Sequence, residues 1–157
     1  MHPDFPLPDV DWPPVREFWQ GAAEGELRLP RCRGCGRFGW YPAGPCRHCG
    51  TGEGDRPLQW EAVSGRGTVF SWAVVTHTFL PQFRGQLPLV PALVSIVEDP
   101  AVRIVTRIVD ADPAGLRIDQ PVHAVFRPLT FDGVAGSVVA PRVAAGWWAT
   151  PSCGVPG

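Results

Sequence analysis

Two CxxC pairs, Cys32-Arg33-Gly34-Cys35 and Cys46-Arg47-His48-Cys49, stand ten residues apart. Each pair can turn two thiolates toward one ion about 2.3 Å away, and two pairs complete a tetrahedral four-sulfur shell. Gly34, Gly36 and Gly50 sit in or just after the pairs, where a metal knuckle needs tight turns and backbone N–H groups facing sulfur. The spacing predicts a zinc site made by Cys32, Cys35, Cys46 and Cys49. Two disulfides would require an oxidising compartment, and no secretory leader precedes the cysteines. A redox CxxC would need a βαβ setting, which is missing. Four thiolates leave no open position, so the ion is expected to be structural rather than catalytic. His48 lies within the second pair and, with four cysteines available, reads as a surface residue.

Other motifs that could carry chemistry fall away on inspection. Gly34-x-Gly36-x-x-Gly39 matches the letters of a dinucleotide fingerprint, but it overlaps the metal knuckle and no strand–turn–helix unit surrounds it. GxSxG, HExxH and a P-loop lysine do not occur. His77 and His123 fall in β-like runs and read as strand residues. Asp99, Asp110, Asp112 and Asp119 fall at turns, where Asp is favoured by its local hydrogen bonds. Arg103 and Arg107 share one strand face and Arg84 lies in a Phe-bearing loop. They could hold coenzyme A phosphates or RNA, or simply keep a face wet.

The elements that must position the cysteines are mostly β. Residues 1–12 are rich in Pro and Asp. Asp11 could cap a helix that starts at Pro13-Pro14, carries Val15, Phe18, Trp19 and Ala22 at helical spacing, and stops at Gly25. At roughly ten residues it is too short to stand alone and must dock, on its own domain or on another chain. Glu26 to Arg31 alternates like a strand entering the first knuckle, and Phe38, Trp40 and Tyr41 lie between the knuckles. From Leu58 the pattern is short β runs: Leu58–Val63, then Thr68–Thr78 with Phe70, Trp72 and Val74 on one face, then 92–98, 102–109, 122–126 and 138–143. The predicted class is mainly β: an N-terminal helix, a rubredoxin-like zinc ribbon and a five-stranded OB-fold barrel. A two-sheet sandwich is the alternative. The divisions fall at 1–30, 31–55, 56–143 and a flexible tail at 144–157.

The chain has 157 residues, a net charge of −1 and no lysine. A protein built to neutralise many phosphates would be visibly basic, so the charge argues against nucleic acid as partner. No run of eighteen apolar residues is present, and a cytoplasmic location is expected. Cys153, the odd cysteine, lies in a Pro/Gly-rich end and is expected to be a free thiol.

These features together resemble the acyl-CoA-associated zinc-ribbon/OB-fold proteins, domain of unknown function family 35. The resemblance rests on Arg16-Glu17-Phe18-Trp19, Leu27 to Gly36, Tyr41-Pro42, Cys46 to Gly50, and above all Trp60-Glu61-Ala62-Val63-Ser64-Gly65-Arg66-Gly67-Thr68-Val69-Phe70-Ser71-Trp72. The apolar segments around Val90–Val97 and Arg103–Ile108 fit its later strands, for coverage of about 13–143. The family's Pro-Pro-Arg before the second knuckle is replaced by Tyr41-Pro42-Ala43-Gly44-Pro45, and the end from Pro141 to Trp148 is atypical. The resemblance implies a non-catalytic subunit of a thiolase-superfamily enzyme, either a thiolase or a lipid-transfer-protein-like aldolase that shortens steroid side chains. It also implies a heterotetrameric complex with an acyl-CoA site. Phe18, Trp19, Trp40 and Tyr41 are then the expected partner anchors, and Phe79, Phe83 and Arg84 the residues nearest acyl-CoA. A single-stranded nucleic-acid binder is the competing class.

Overall fold

The computed structural model describes residues 5–42, 44–50 and 58–146. The loop glycines Gly52 and Gly54, Cys153 and the atypical end beyond residue 146 lie outside these. A 3-10 turn at Pro13–Val15 leads into helix α1 (Arg16–Glu24), as two prolines with preset φ favour. Asp11 helps differently from the cap expected of it. No side chain caps this end; the Asp11 carbonyl instead accepts from Arg16 Nε and Nη2 at 3.3 and 2.9 Å. At the other end Gly25 adopts φ 80°. Its N–H returns to the Ala22 carbonyl and that of Glu26 to Gly21, a Schellman closure that satisfies two terminal carbonyls.

α1 docks on its own chain. Its buried face, Phe18, Gly21 and Ala22, lies against strand β1 (Leu27–Cys32). β1 pairs antiparallel with β2 (Leu58–Val63), from Leu27↔Val63 to Cys32↔Leu58. The sequence pattern groups 58–63 with the barrel residues, yet its hydrogen bonds go to the strand that enters the knuckle. Alternation alone shows that a segment is extended and not which strand it joins.

The barrel is closed by β3 (Arg66–Trp72), β4 (Pro91–Ile96), β5 (Arg103–Val109), β6 (Pro121–Leu129) and β7 (Val138–Ala145), in the order β3-β4-β5-β7-β6. All neighbours are antiparallel except β5 and β7. This is the five-stranded Greek-key barrel expected. β3 is shorter than the 68–78 run: it ends at Trp72, followed by an Ala73 N–H bond to Pro91 O and a Val75↔Leu89 bridge. The segment that should pair with residues 73–78 contains Pro81, Pro88 and Pro91, which cannot donate to a ladder. A bulge between Val69 and Ser71 also overturns the expected face. It leaves Phe70 exposed and lets Trp72 join Val69 against the core.

One core cluster fills the barrel around Val69, Val94, Val122 and Val143. A second joins three elements: Phe18 of α1, Leu27 and Leu29 of β1, and Ile96 and Ile104 of the barrel, with Trp19, Phe38 and Trp40 packed on it. This second cluster seats the ribbon and the helix on the barrel.

Candidate metal centre and the aromatic face beside it

β1 delivers the first ligand. Cys32 ends the strand and is 2% exposed. The chain then turns so that Gly36 N–H reaches the Cys32 carbonyl at 2.8 Å and Cys32 N–H reaches Arg37 O at 2.9 Å. The second knuckle repeats the turn, with Gly50 N–H on Cys46 O at 2.8 Å. Gly36 and Gly50 have φ of 72° and 67°, the left-handed region where glycine is tolerated without strain.

The turns bring four sulfurs together. Cys32 and Cys49 Sγ are 3.7 Å apart, as are those of Cys35 and Cys46, and all four lie within 4.8 Å of one another. A tetrahedron with bonds of about 2.3 Å has edges of about 3.8 Å, whereas a disulfide requires about 2.05 Å. The donors therefore fit one zinc ion. His48 is exposed and is not part of the cluster. Gly34 N–H points at Cys32 Sγ at 3.3 Å. The N–H groups of His48 and then Cys49 favour the Cys46 thiolate and hold its pKa low. For Cys35 the Arg37 N–H acts in the same direction. Desolvation and hydrogen bonds shared with the Cys49, Cys46 and Cys32 thiols outweigh it and push Cys35 up to about 11. A metal entering this site must displace protons held by the crowded thiols.

Arginines brace the ribbon. Arg31 donates to Gly36 O at 2.6 Å and Glu61 Oε2 at 3.2 Å and lies 5.4 Å from the Phe38 ring centroid. Arg37 forks onto Asp99 at 2.7 and 2.9 Å, tying the knuckle to the β4–β5 turn. Asp99 is 7% exposed. Arg37 is the first cause of its lowered pKa, followed by the N–H groups of Ala101 and Phe38, against the opposing cost of burial. Sequence reading took Asp99 for a turn former. Its Ala101 N–H bond supports that, but no local signal could show a partner 62 positions away.

The four expected anchors do come together. Phe18 packs edge-on to Trp19 at 5.1 Å and against Trp40 at 4.7 Å, and Trp40 stacks on Tyr41 at 4.9 Å. Their exposure differs. Phe18 belongs to the chain's own core at 6%, while Tyr41 is 56% exposed. Phe18 therefore supports the face, and Trp19, Trp40 and Tyr41 form it. Phe83 and Arg84 lie on the 3-10 turn Pro81–Gln86, and Phe79 just before it. Phe83 packs on Phe131 at 4.9 Å, Arg84 is exposed, and Phe79 is fully exposed. Arg107 holds this loop through Gln86 O and Oε1 at 3.0 and 2.9 Å. Arg103 lies 3.7 Å over the Phe70 ring. His77 is exposed, and His123 lies within β6.

Residues 19–53 match the ChsH2 rubredoxin-like zinc ribbon domain, and residues 60–127 the ChsH2 C-terminal OB-fold domain. A DUF35 domain-containing scaffold protein of Methanocaldococcus jannaschii is 33% identical over 110 residues, which cover 69% of this chain and 72% of that protein. The chain belongs to the DUF35 family. As a DUF35 protein it is also similar to the 3-oxo-4,17-pregnadiene-20-carboxyl-CoA hydratase alpha subunit of Mycobacterium tuberculosis, at 35% identity over 69% of this chain and 32% of that protein. The chain thus spans about a third of the curated hydratase alpha subunits it matches. A chain of the solved Ltp2-ChsH2(DUF35) aldolase superposes with a TM-score of 0.69 at 26% identity, covering 88% of this chain and 98% of that one. Among the described residues no helix is long and apolar enough to cross a membrane.

Proposed function

We propose that the chain is a non-catalytic accessory subunit that binds and stabilises a thiolase-superfamily enzyme, a thiolase or an aldolase acting on CoA thioesters, in a heterotetrameric complex. The observation that carries this reading is the likeness to the DUF35 chain of an aldolase over 98% of that chain's length. The chemistry agrees. A closed four-thiolate site binds no substrate, so the bond-making groups belong to the partner. The name of the mycobacterial relative favours a steroid-derived acyl-CoA. Trp19, Trp40 and Tyr41 are the anchors that dock the partner, each worth about 2 kcal/mol when buried. Fully exposed Phe79 and exposed Arg84 border the acyl-CoA channel of the complex. The nucleic-acid reading is disfavoured by net charge −1 and by Arg103, Arg107 and Arg127 being engaged within the chain.

The test is co-expression with a thiolase-superfamily enzyme encoded beside this gene, followed by size-exclusion chromatography and assay of the enzyme with and without this chain. Co-elution and a gain in soluble, active enzyme are expected. A monomer that never co-elutes, beside an enzyme fully soluble and active alone, would overturn the proposal.

A further inference from the structure

β5 and β7 run parallel, with Ile108 opposite Val143 and Val109 opposite Ala144. Ile108 and Val143 belong to the barrel core. Strand alternation therefore turns the residues just before them, Arg107 and Arg142, to the outer face, side by side on strands about 4.8 Å apart. Across the next ladder Arg142 pairs with Val125 and Arg127 with Ala140, so Arg127 stands diagonally from Arg142 on the same face. Three arginines thus share one outer patch of β5, β7 and β6, although like charges placed opposite one another on a sheet are destabilising.

The three are not equally satisfied. Arg127 is neutralised by a two-pronged pair with Asp110. Arg107 donates to the side-chain and main-chain oxygens of Gln86 at 2.9 and 3.0 Å, and both acceptors are neutral. Arg142 makes no hydrogen bond, ion pair or ring contact with any described residue. Arg107 and Arg142 are both half-buried. Burial and then Arg142 depress the Arg107 pKa, and burial and then Arg127 depress that of Arg142. Adjacent half-buried guanidiniums without a counter-charge are costly, and a bound anion offsets the cost. A phosphate group suits the pair. As a monoester it carries about −1.5 to −2 near neutral pH and three acceptor oxygens, enough to bridge two guanidiniums. A carboxylate brings one charge and is fully served by one arginine fork. A nucleic-acid strand would need a longer basic track, and Asp110 closes the row at Arg127.

We propose that Arg107 and Arg142 form a site for one phosphate group, free or as a monoester, on the outer face of the barrel. The site uses none of the residues assigned to the partner interface and does not depend on the accessory role, so it is tested without a partner enzyme. Inorganic phosphate and glycerol 2-phosphate are titrated by calorimetry into the purified zinc-loaded chain at constant ionic strength, beside acetate. Saturable one-to-one binding of phosphate is expected, with acetate at least tenfold weaker because it brings a single charge. An ester that binds at least as well as free phosphate identifies a phosphorylated molecule as the ligand. An ester tenfold weaker identifies free phosphate, and either outcome supports the site. Arg142→Gln should weaken phosphate at least tenfold, whereas Arg117→Gln, which removes one charge at an exposed position, should leave it unchanged. Arg142→Lys keeps the charge, loses the planar fork and should weaken phosphate severalfold. The proposal is overturned if phosphate shows no saturable binding up to about 10 mM, far weaker than a usable site. It is also overturned if acetate binds as well, if a folded Arg142 variant binds phosphate normally, or if Arg117→Gln weakens binding as much. Should neither Arg142 variant fold, the comparison of phosphate with acetate on the wild-type chain decides alone.

Discussion

Gly67→Ala tests the barrel where two strands come closest. Gly67 pairs with Ile96 of β4 and Val122 of β6, so both of its flanks are held. A Cβ built there would lie 2.5 Å from Ser95 O and 2.7 Å from Val94 Cγ1. An ordinary carbon–oxygen contact is about 3.3 Å or more, so the β3–β4 ladder must open by roughly 0.8 Å. The obstacle is backbone, not the end of a flexible side chain, and a closed barrel has no free edge to yield. Overpacking of this kind costs about 1–3 kcal/mol or somewhat more, and we expect the upper end, about 3 kcal/mol. For a chain of this size each kcal/mol moves Tm by about 2–4 °C, giving a loss of roughly 6–12 °C. Gly115→Ala is the control. Nothing lies within 4 Å of its Cβ and its φ is not positive, so Tm should hold or rise slightly, since alanine loses less backbone freedom on folding. Thermal and urea unfolding of both variants, at equal zinc content, measure the difference. A Gly67→Ala protein within about 2 °C of wild type would show that the strands separate without cost, and the steric reasoning would be wrong.

Elemental analysis should find one zinc per chain. Cys32→Ser should lose it along with solubility, while Cys153→Ser should keep it; because Cys35 must release a proton held up to about pH 11, zinc affinity measured against a competing chelator should fall as pH is lowered. Asp99→Asn should flatten the acid limb of the stability curve. The lowered Asp99 pKa means its contribution is present above the ordinary carboxylate value near 3.9 and is lost as pH falls through the folded value; urea midpoints between about pH 2 and pH 6 would show the wild type losing a component the variant lacks. Tyr41→Ala should weaken assembly with the partner enzyme in size-exclusion or calorimetric assays while leaving zinc content unchanged. Arg84→Ala should raise the KM of the assembled enzyme for its acyl-CoA more than it lowers kcat, as loss of uniform binding does.

What could be read without a structure follows from the range of each signal. The cysteine ligands were legible because a CxxC pair is local and its geometry leaves few alternatives. The helix end at Gly25 and the barrel strands from Pro91 onward were legible for the same reason, since capping and alternation act within a few residues. Three features were not. β2 joins β1 rather than the barrel. The bulge before Ser71 swaps which residues face inward. Arg37 finds Asp99 across 62 positions. In each case the deciding partner lies far along the chain, and a hydrogen bond or ion pair leaves no trace in the spacing of either member.

The metal site and the aromatic face are joined by one short stretch of chain, so the ion would help to position that face. Zinc would hold Cys35 and Cys46 together, and these are the two ends of the segment that carries Phe38, Trp40 and Tyr41. The segment's other ties include the Gly39 N–H bond to Pro30 O and the Cys32 N–H bond to Arg37 O, each at 2.9 Å, the Arg31 contacts with Gly36 O and the Phe38 ring, the Arg37–Asp99 fork and the packing of Trp40 on Phe18. Tyr41, 56% exposed, stacks on Trp40. Releasing the metal frees both ends of a short segment at once and restores the loop entropy that the knuckles remove. Loss of zinc should therefore loosen Trp40 and Tyr41 before it disturbs the barrel, whose closure depends on β3–β7 and the core around Val69 and Val122.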